Sequence, residues 1–328
     1  MKHLSILVPD EQTTISTSAC IIGSFHIFTE ANRLMERKSG KPIFKISLVG
    51  ATKSQFLQDG FLTIKHDIAI NEITETDLII IPASLVRNYK MATKNNKLLI
   101  DWIVKQYKQC AEIASMCAGG FMLASTGLLS GKACSTHWAM ADEFRRLFPD
   151  VNLQTDKLIT DENGIYTNGG AYSFLHLLLY LVEKFYGREI SIQCAKYFQI
   201  DLDRNLQAEF SVFNGHKKHN DDVVLNAQTF LEENYQDKIS IEELSSNFGI
   251  GRRNFDRRFT KATGLTPLDY LQRIKIEVAK KTFENSRKSV NEVMYEVGYN
   301  DTKSFREVFC RVTGMSPIEY KSKYNKGS

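Results

Sequence analysis

A stretch of sixteen residues occurs twice in this chain. "FDRRFTKATGLTPLDY" at 255–270 returns fifty residues later as "FREVFCRVTGMSPIEY" at 305–320, so Phe255, Phe259, Gly264, Pro267 and Tyr270 recur as Phe305, Phe309, Gly314, Pro317 and Tyr320. Two of only six prolines fall on this one repeated position. The parallel extends upstream, from "SIEELSSNFGIG" at 240–251 to "SVNEVMYEVGYN" at 289–300, with one extra residue in the second copy before its phenylalanine. Two copies are too few for a solenoid, which needs at least about three repeats to bury its faces. The chain therefore ends in a duplicated supersecondary unit.

Each copy reads as helix, turn, helix. Ser240 and Ser289 are N-cap residues, with Glu243 and Glu292 three positions on to complete a capping box. The short helix that follows ends at Gly249 or Gly298, where the missing Cβ tolerates a left-handed turn. A second helix spans 251–262 or 301–312, and its phenylalanines at i and i+4 face inward. Its other face is left to enter a DNA major groove. The helix between the copies, 266–284, is a spacer of roughly 28 Å, close to the ~34 Å between successive major grooves on one face of a duplex. Charge agrees with this reading. The whole chain carries only +4, but residues 251–288 hold eleven lysines and arginines against four acids. A basic patch of that density calls for an anionic partner.

The first two hundred residues follow a different grammar. Apolar runs at 3–8, 43–49, 77–82 and 112–116 read as buried strands, and 18–37, 95–109, 118–125, 138–147 and 171–186 carry helical patterns. That alternation predicts an α/β domain, a flavodoxin-like parallel sheet sandwiched by helices, followed by an all-α domain with two helix-turn-helix units. The polar "FNGHKKHNDD" at 213–222 marks the joint. The expected division is 1–210 for the sensor or dimerisation domain, 211–221 for a linker and 222–328 for the DNA-binding domain. The apolar run at the N-terminus is too short for a signal-peptide core, and no stretch approaches the ~18 apolar residues of a membrane span. Six cysteines lie scattered without a CxxC pair or zinc spacing. A cytoplasmic protein with reduced thiols and no metal or other cofactor is the expectation.

Resemblance adds names to these patterns. The last hundred or so residues, with "VGYNDTKSFREVFCRVTGMSPIEY", resemble the DNA-binding domain of the AraC/XylS family of transcription regulators. The resemblance implies base contacts from Arg252, Arg253, Asp256 and Arg257 in the first unit and from Thr302, Lys303 and Arg306 in the second. Glu307 departs from the family, which often has arginine there; the departure implies either weaker binding by the second unit or a carboxylate that reads cytosine. The first half, through "SMCAGGFMLASTGLLSGKACSTHW" at 115–138, resembles the PfpI-type, class I glutamine amidotransferase-like domain fused to AraC-type regulators in the GlxA-like group.

In enzymes of that superfamily the elbow cysteine, here Cys117, is a nucleophile activated by a helix N-terminus and a nearby histidine or acid. His137 stands where the superfamily often places its histidine. Cys20 stands where many members have the acid, and Asp10 and Glu11 belong to the neighbouring loop. The alignment also brings Cys20 toward Cys117, which would permit a redox disulfide. With the acid replaced, Cys117, His137 and Cys20 are expected to line a pocket at the carboxyl ends of the strands. The expected protein is a homodimeric regulator that binds double-stranded promoter DNA and answers to a small-molecule effector. The alternatives are a cysteine-dependent hydrolase or amidase with a DNA-binding tail, and a ligand-free dimerisation scaffold.

Overall fold

The computed structural model describes residues 1–9, 14–52, 56–58, 63–84, 93–202, 206–207, 210, 212–217 and 219–325. Contacts divide the chain into Met1–Gln207 and Ala208–Ser328.

The strands of the first unit are β1 (Lys2–Leu7), β2 (Phe44–Gly50), β3 (Phe56–Gln58), β4 (Thr63–Lys65), β5 (Ile68–Ala69), β6 (Leu78–Ile81), β7 (Glu112–Met116), β8 (Ala133–Cys134), β9 (Asn152–Leu153), β10 (Ile159–Glu162) and β11 (Ile165–Asn168). Seven form the main sheet in the order β10-β11-β7-β6-β1-β2-β5. All neighbours are parallel except β10 with β11. The run β2-β1-β6-β7-β11 is the flavodoxin-like order, and its strands reverse direction of growth between β1 and β6.

Every residue of β6, "LIII", is buried, as a strand covered on both faces requires. Its alternate side chains part between two cores. Leu78 and Ile80 pack with Phe28, Leu178 and Val182 beneath α1 (Ile15–Ser39), while Ile79 and Ile81 pack with Leu99, Ile103 and Phe121 beneath α2 (Lys97–Lys108) and α3 (Gly119–Ser125). α4 (Ala141–Leu147) joins the second face through Phe144; α5 (Phe174–Tyr186) and α6 (Arg188–Phe198) complete the first.

The β10–β11 edge hairpin was not expected from apolar runs, because "ITDENGIYTN" is half polar. Its turn residues, Asn163 at φ 54° and Gly164 at φ 74°, take the two positive φ values of a type I′ hairpin. The Asn-Gly dipeptide was the available signal.

The second unit holds α7 (Asp222–Glu233), α8 (Ile241–Asn247), α9 (Arg252–Thr263), α10 (Pro267–Asn285), α11 (Val290–Glu296), α12 (Thr302–Thr313) and α13 (Pro317–Tyr324). Ser240 and Ser289 cap α8 and α11, each accepting the backbone N–H of the glutamate three residues on. Gly249 and Gly298 take positive φ in the two turns. The caps, glycines and prolines of the repeat thus set the same path twice.

The cores repeat in detail. Phe255 and Phe259 lie 5.7 Å apart at 54°, and Phe305 and Phe309 lie 5.7 Å apart at 56°. Tyr270 meets Phe259 edge-on at 5.2 Å, and Tyr320 meets Phe309 edge-on at 5.5 Å. Helix α10 belongs to both cores: its Tyr270, Leu271 and Ile274 pack in the first, and its Ile276, Ala279 and Phe283 in the second.

Residues 212–217 and 219–221, in the stretch expected to link the domains, pack on this helical unit. Phe213 meets Tyr270 at 5.1 Å, Gly215 O accepts from the Tyr270 hydroxyl, and Asp221 pairs with Arg258. Polar composition concealed one aromatic anchor and an N-cap.

Candidate functional site

In each helix-turn-helix copy, the second helix buries its phenylalanines and turns a polar face outward. On α9 that face carries Arg253, Asn254, Arg257 and Lys261, all exposed. Arg253 enters no ion pair or side-chain hydrogen bond among the described residues. Arg257 donates to Asn254 Oδ1 at 3.0 Å, a weak tether at the surface. Arg252 is held differently. Its Nε donates to Asp256 Oδ2 at 2.8 Å and its other arm pairs with Glu242 of α8, so Arg252 and Asp256 brace the two helices against each other. Of the four residues implied for the first unit, Arg253 and Arg257 therefore have their charge outward, and Arg252 and Asp256 share theirs.

On α12, Lys303, Arg306 and Glu307 are exposed and Thr302 is half-buried. Asp301 caps the helix by accepting the N–H of Ser304 at 2.6 Å, and those hydrogen bonds hold its carboxyl below its ordinary value. The basic patch is thinner than the sequence suggests. Lys275 and Lys280 of α10 are buried, with Lys280 paired to Glu277, and Arg258 is taken by Asp221. Arginine and lysine heads on an exposed helix face are suited to guanine edges and phosphates.

In the α/β unit, Cys117 follows β7 at φ 52°, a left-handed conformation that non-glycine residues seldom adopt. Its N–H donates to Asn168 O at 3.0 Å and its carbonyl accepts Thr136 Oγ1 at 2.9 Å. Gly119 allows the tight turn, because a Cβ there would lie 2.6 Å from Pro82 O. The elbow inferred from "SMCAGG" is thus present. Its electrostatics differ from those of an activated thiol: burial pushes Cys117 up to about 11, against a single lowering contact from the Ala118 amide. Desolvation outweighs the terminus of the seven-residue helix α3.

Cys20, on α1, is buried and pushed up to about 12 by desolvation, with the Ala83 amide opposing and Cys117 adding to the shift. The two sulfurs are near enough to feel each other, and both are free thiols. His137 caps its own turn, its Nδ1 accepting the Ala139 N–H at 3.1 Å, and burial lowers its pKa. Among the described residues it bonds neither thiol. Asp10 and Glu11 lie outside the described residues, as do 85–92. A cavity of about 480 Å³ lies at the β10 edge, lined by Tyr180, Glu183, Lys184, Arg188 and Asp201 among others. Among the described residues no group of three or more His, Cys, Asp or Glu is placed to hold a metal ion. Nor, among them, is any helix long and apolar enough to cross a membrane.

Known proteins match both halves. Residues 29–184 match the DJ-1/PfpI family, and residues 244–323 match a helix-turn-helix domain family. The chain joins a DJ-1/PfpI domain to a helix-turn-helix domain. The HTH-type transcriptional regulator GbdR of Pseudomonas aeruginosa is 23% identical over 317 residues, covering 96% of this chain and 83% of that protein. The HTH-type transcriptional regulator CdhR of the same organism is 20% identical, over 84% of this chain and 81% of its own length. Both relatives thus parallel the two-domain order, not one half alone. Among solved structures, a protein from Vibrio parahaemolyticus described as a transcriptional regulator superposes with TM-score 0.52 at 23% identity, covering 60% of this chain and 98% of that one. Drosophila melanogaster DJ-1beta superposes with TM-score 0.50 at 18% identity, over 61% and 98%. These likenesses are of fold, and they fall on the DJ-1/PfpI domain.

Sequence reasoning missed three groups of residues around these sites. Glu242, the partner of Arg252, lies ten positions away on another helix and gives no local pattern. Glu232 and Glu284, which accept the Tyr270 and Tyr320 hydroxyls, each lie three helices upstream of their tyrosine. That equivalence extends the duplication to α7 and α10; the two glutamates lie fifty-two residues apart, out of step with the fifty of the tyrosines, which hid the match. Gln207, buried beside Thr136, gave none.

Proposed function

We infer that this protein is a sequence-specific DNA-binding transcription regulator whose DJ-1/PfpI domain receives a small molecule. One observation carries the reading: a duplicated helix-turn-helix with exposed basic side chains on both second helices, α9 and α12, built on one continuous helix. Relatives that parallel the chain over most of its length, and are themselves transcriptional regulators, support it. Arg253 and Arg257 are assigned to base and phosphate contacts in one major groove, and Lys303 and Arg306 to the next. Arg252 and Asp256 are assigned to holding α9 at its angle.

The α/β domain is assigned to sensing. A thiol pushed to about 11 holds almost no thiolate at neutral pH, and His137 is turned to its own backbone, which together disfavour turnover at Cys117. An effector acts only by binding one arrangement of the regulator better than another. Assembly as a homodimer, in the cytoplasm, completes the proposal; two tethered DNA-binding domains raise affinity through effective concentration.

The test is selection of genomic fragments by the purified full-length chain, with and without a metabolite extract. Recovery of a common two-part sequence, held less tightly as salt rises, supports the reading. Recovery of no preferred sequence at any salt overturns it.

A further inference from the structure

The α/β unit ends at Gln207, whose side chain turns into the interior. It is 1% exposed. Its Nε2 donates to Thr136 O at 3.0 Å and lies 3.2 Å from both Ser135 Oγ and Lys157 O. Its own N–H donates to Asp156 O at 3.1 Å, and Leu206 bridges Lys157. Gly169 leaves room for the amide, since a Cβ at that position would sit 2.1 Å from Gln207 Nε2.

The residues that seat Gln207 are also the ones that hold the cysteine elbow. Thr136 donates its hydroxyl to Cys117 O, and Asn168, next to Gly169, accepts the Cys117 N–H. Both peptide groups of Cys117 thus lead in one step to the seat of Gln207. That seat is imperfect. Gln207 Oε1 is buried without a donor, so an unpaired acceptor offsets much of what the amide hydrogens contribute. Cys117 adds backbone strain of its own. Gln207 is thus held by several hydrogen bonds, carries an orphaned oxygen and is joined to a strained elbow through Thr136.

We propose that Gln207 is a latch that reports the state of the Cys117 elbow to the segment leading into the helix-turn-helix domain. A shift of the elbow backbone moves Thr136 and Gly169, and Gln207 leaves its seat. Leu206 and Gln207 then join the connecting segment, which gains up to about 7 Å of reach at ~3.3–3.6 Å per residue. The inference rests on the regulator reading for its effect on DNA, but not for the latch itself.

The test uses the full-length chain and two readouts. Thr136→Val removes the bond to Cys117 O while keeping the backbone carbonyl that Gln207 uses. It is expected to speed hydrogen exchange at the Gln207 amide by about tenfold or more. Gln207→Glu, which turns a carboxylate oxygen toward acceptor oxygens, should expose the same amide and serves if Thr136→Val fails to fold. Unchanged exchange at Gln207 in the folded variants overturns the latch. On a selected DNA fragment, Thr136→Val should change affinity about fivefold or more in the native chain. In a Gln207→Met background, where the latch is already open, the same substitution should have little effect. Equal changes in both backgrounds, or none in either, overturn the coupling. If no fragment binds the native chain, the regulator reading falls, and the exchange result still decides the latch.

Discussion

Phe255 and Phe259 meet at nearly the same distance and angle as Phe305 and Phe309, yet Arg253, Asp256 and Arg257 on the same helix faces have become Lys303, Arg306 and Glu307. Inside each copy, a ring has one place to go, because packing density leaves no slack for a different shape. Outside, a side chain meets water or a partner and is free to change. The duplication kept its frame and let its outer face diverge, so the two copies are built to hold the same position against unlike sequences. Arg252 sharpens the contrast. In the first copy it braces α9 against α8 through Glu242, and its counterpart in the second copy is the neutral Thr302.

The comparison breaks most severely at the shared frame. Phe255→Ala and Phe305→Ala should each lower stability by about 3–5 kcal/mol, to similar extents, in urea unfolding; a large inequality would mean the cores are not equivalent. The turn glycines come next and should behave unlike each other. Both have positive φ, which strains alanine by roughly 1–2 kcal/mol. A Cβ at Gly249 meets nothing within 4 Å, but one at Gly298 would lie 2.1 Å from Gln236 O. Gly298→Ala should therefore be worse than Gly249→Ala by about 1–3 kcal/mol, as overpacking against backbone demands.

On the outer face the copies should answer with opposite sign. Arg257→Ala should weaken specific binding by about 1–3 kcal/mol in a fluorescence titration. Glu307→Ala, one repeat later, should leave binding unchanged or tighten it on non-specific DNA, by removing a negative charge from beside the phosphates; weakening confined to fragments with one cytosine would instead assign it a base contact. The smallest effect is a pH dependence from a pair that the second copy lacks: Arg258 holds the Asp221 carboxyl below its ordinary 3.8, and the second copy has Val308 in place of the arginine. The advantage of the native chain over Asp221→Asn should be complete above pH 3.8 and vanish as pH falls through the depressed value. Thermal melts of the two chains across that range measure it.

Much of this frame was legible in the sequence because it is local. Ser240 with Glu243, the glycines of the turns and the phenylalanines at i and i+4 act within one or two helical turns, so their spacing carries their geometry. The buried strands were legible for a related reason: "LIII" has no solvent side, and its composition says so. What escaped depends on distance. Glu242 meets Arg252, and Gln207 meets Thr136, across gaps set only once the chain has folded. Lys275 and Lys280 count as positive in any tally of charge, and burial alone reveals that they belong to the interior. The elbow shows the same limit: "SMCAGG" announced the turn, but the surroundings that raise its thiol, rather than lowering it, come from strands and helices far along the chain.

Helix α10 carries a consequence for the DNA site proposed above. With Tyr270 and Ile274 in one core and Ile276 and Phe283 in the other, it acts as a crankshaft between the two reading heads. One residue inserted in its middle would turn the second head by about 100° and advance it by only 1.5 Å. On the proposed reading, the spacing of the two half-sites is thus a phase rather than a length, and operator and protein can drift apart in sequence but not in angle.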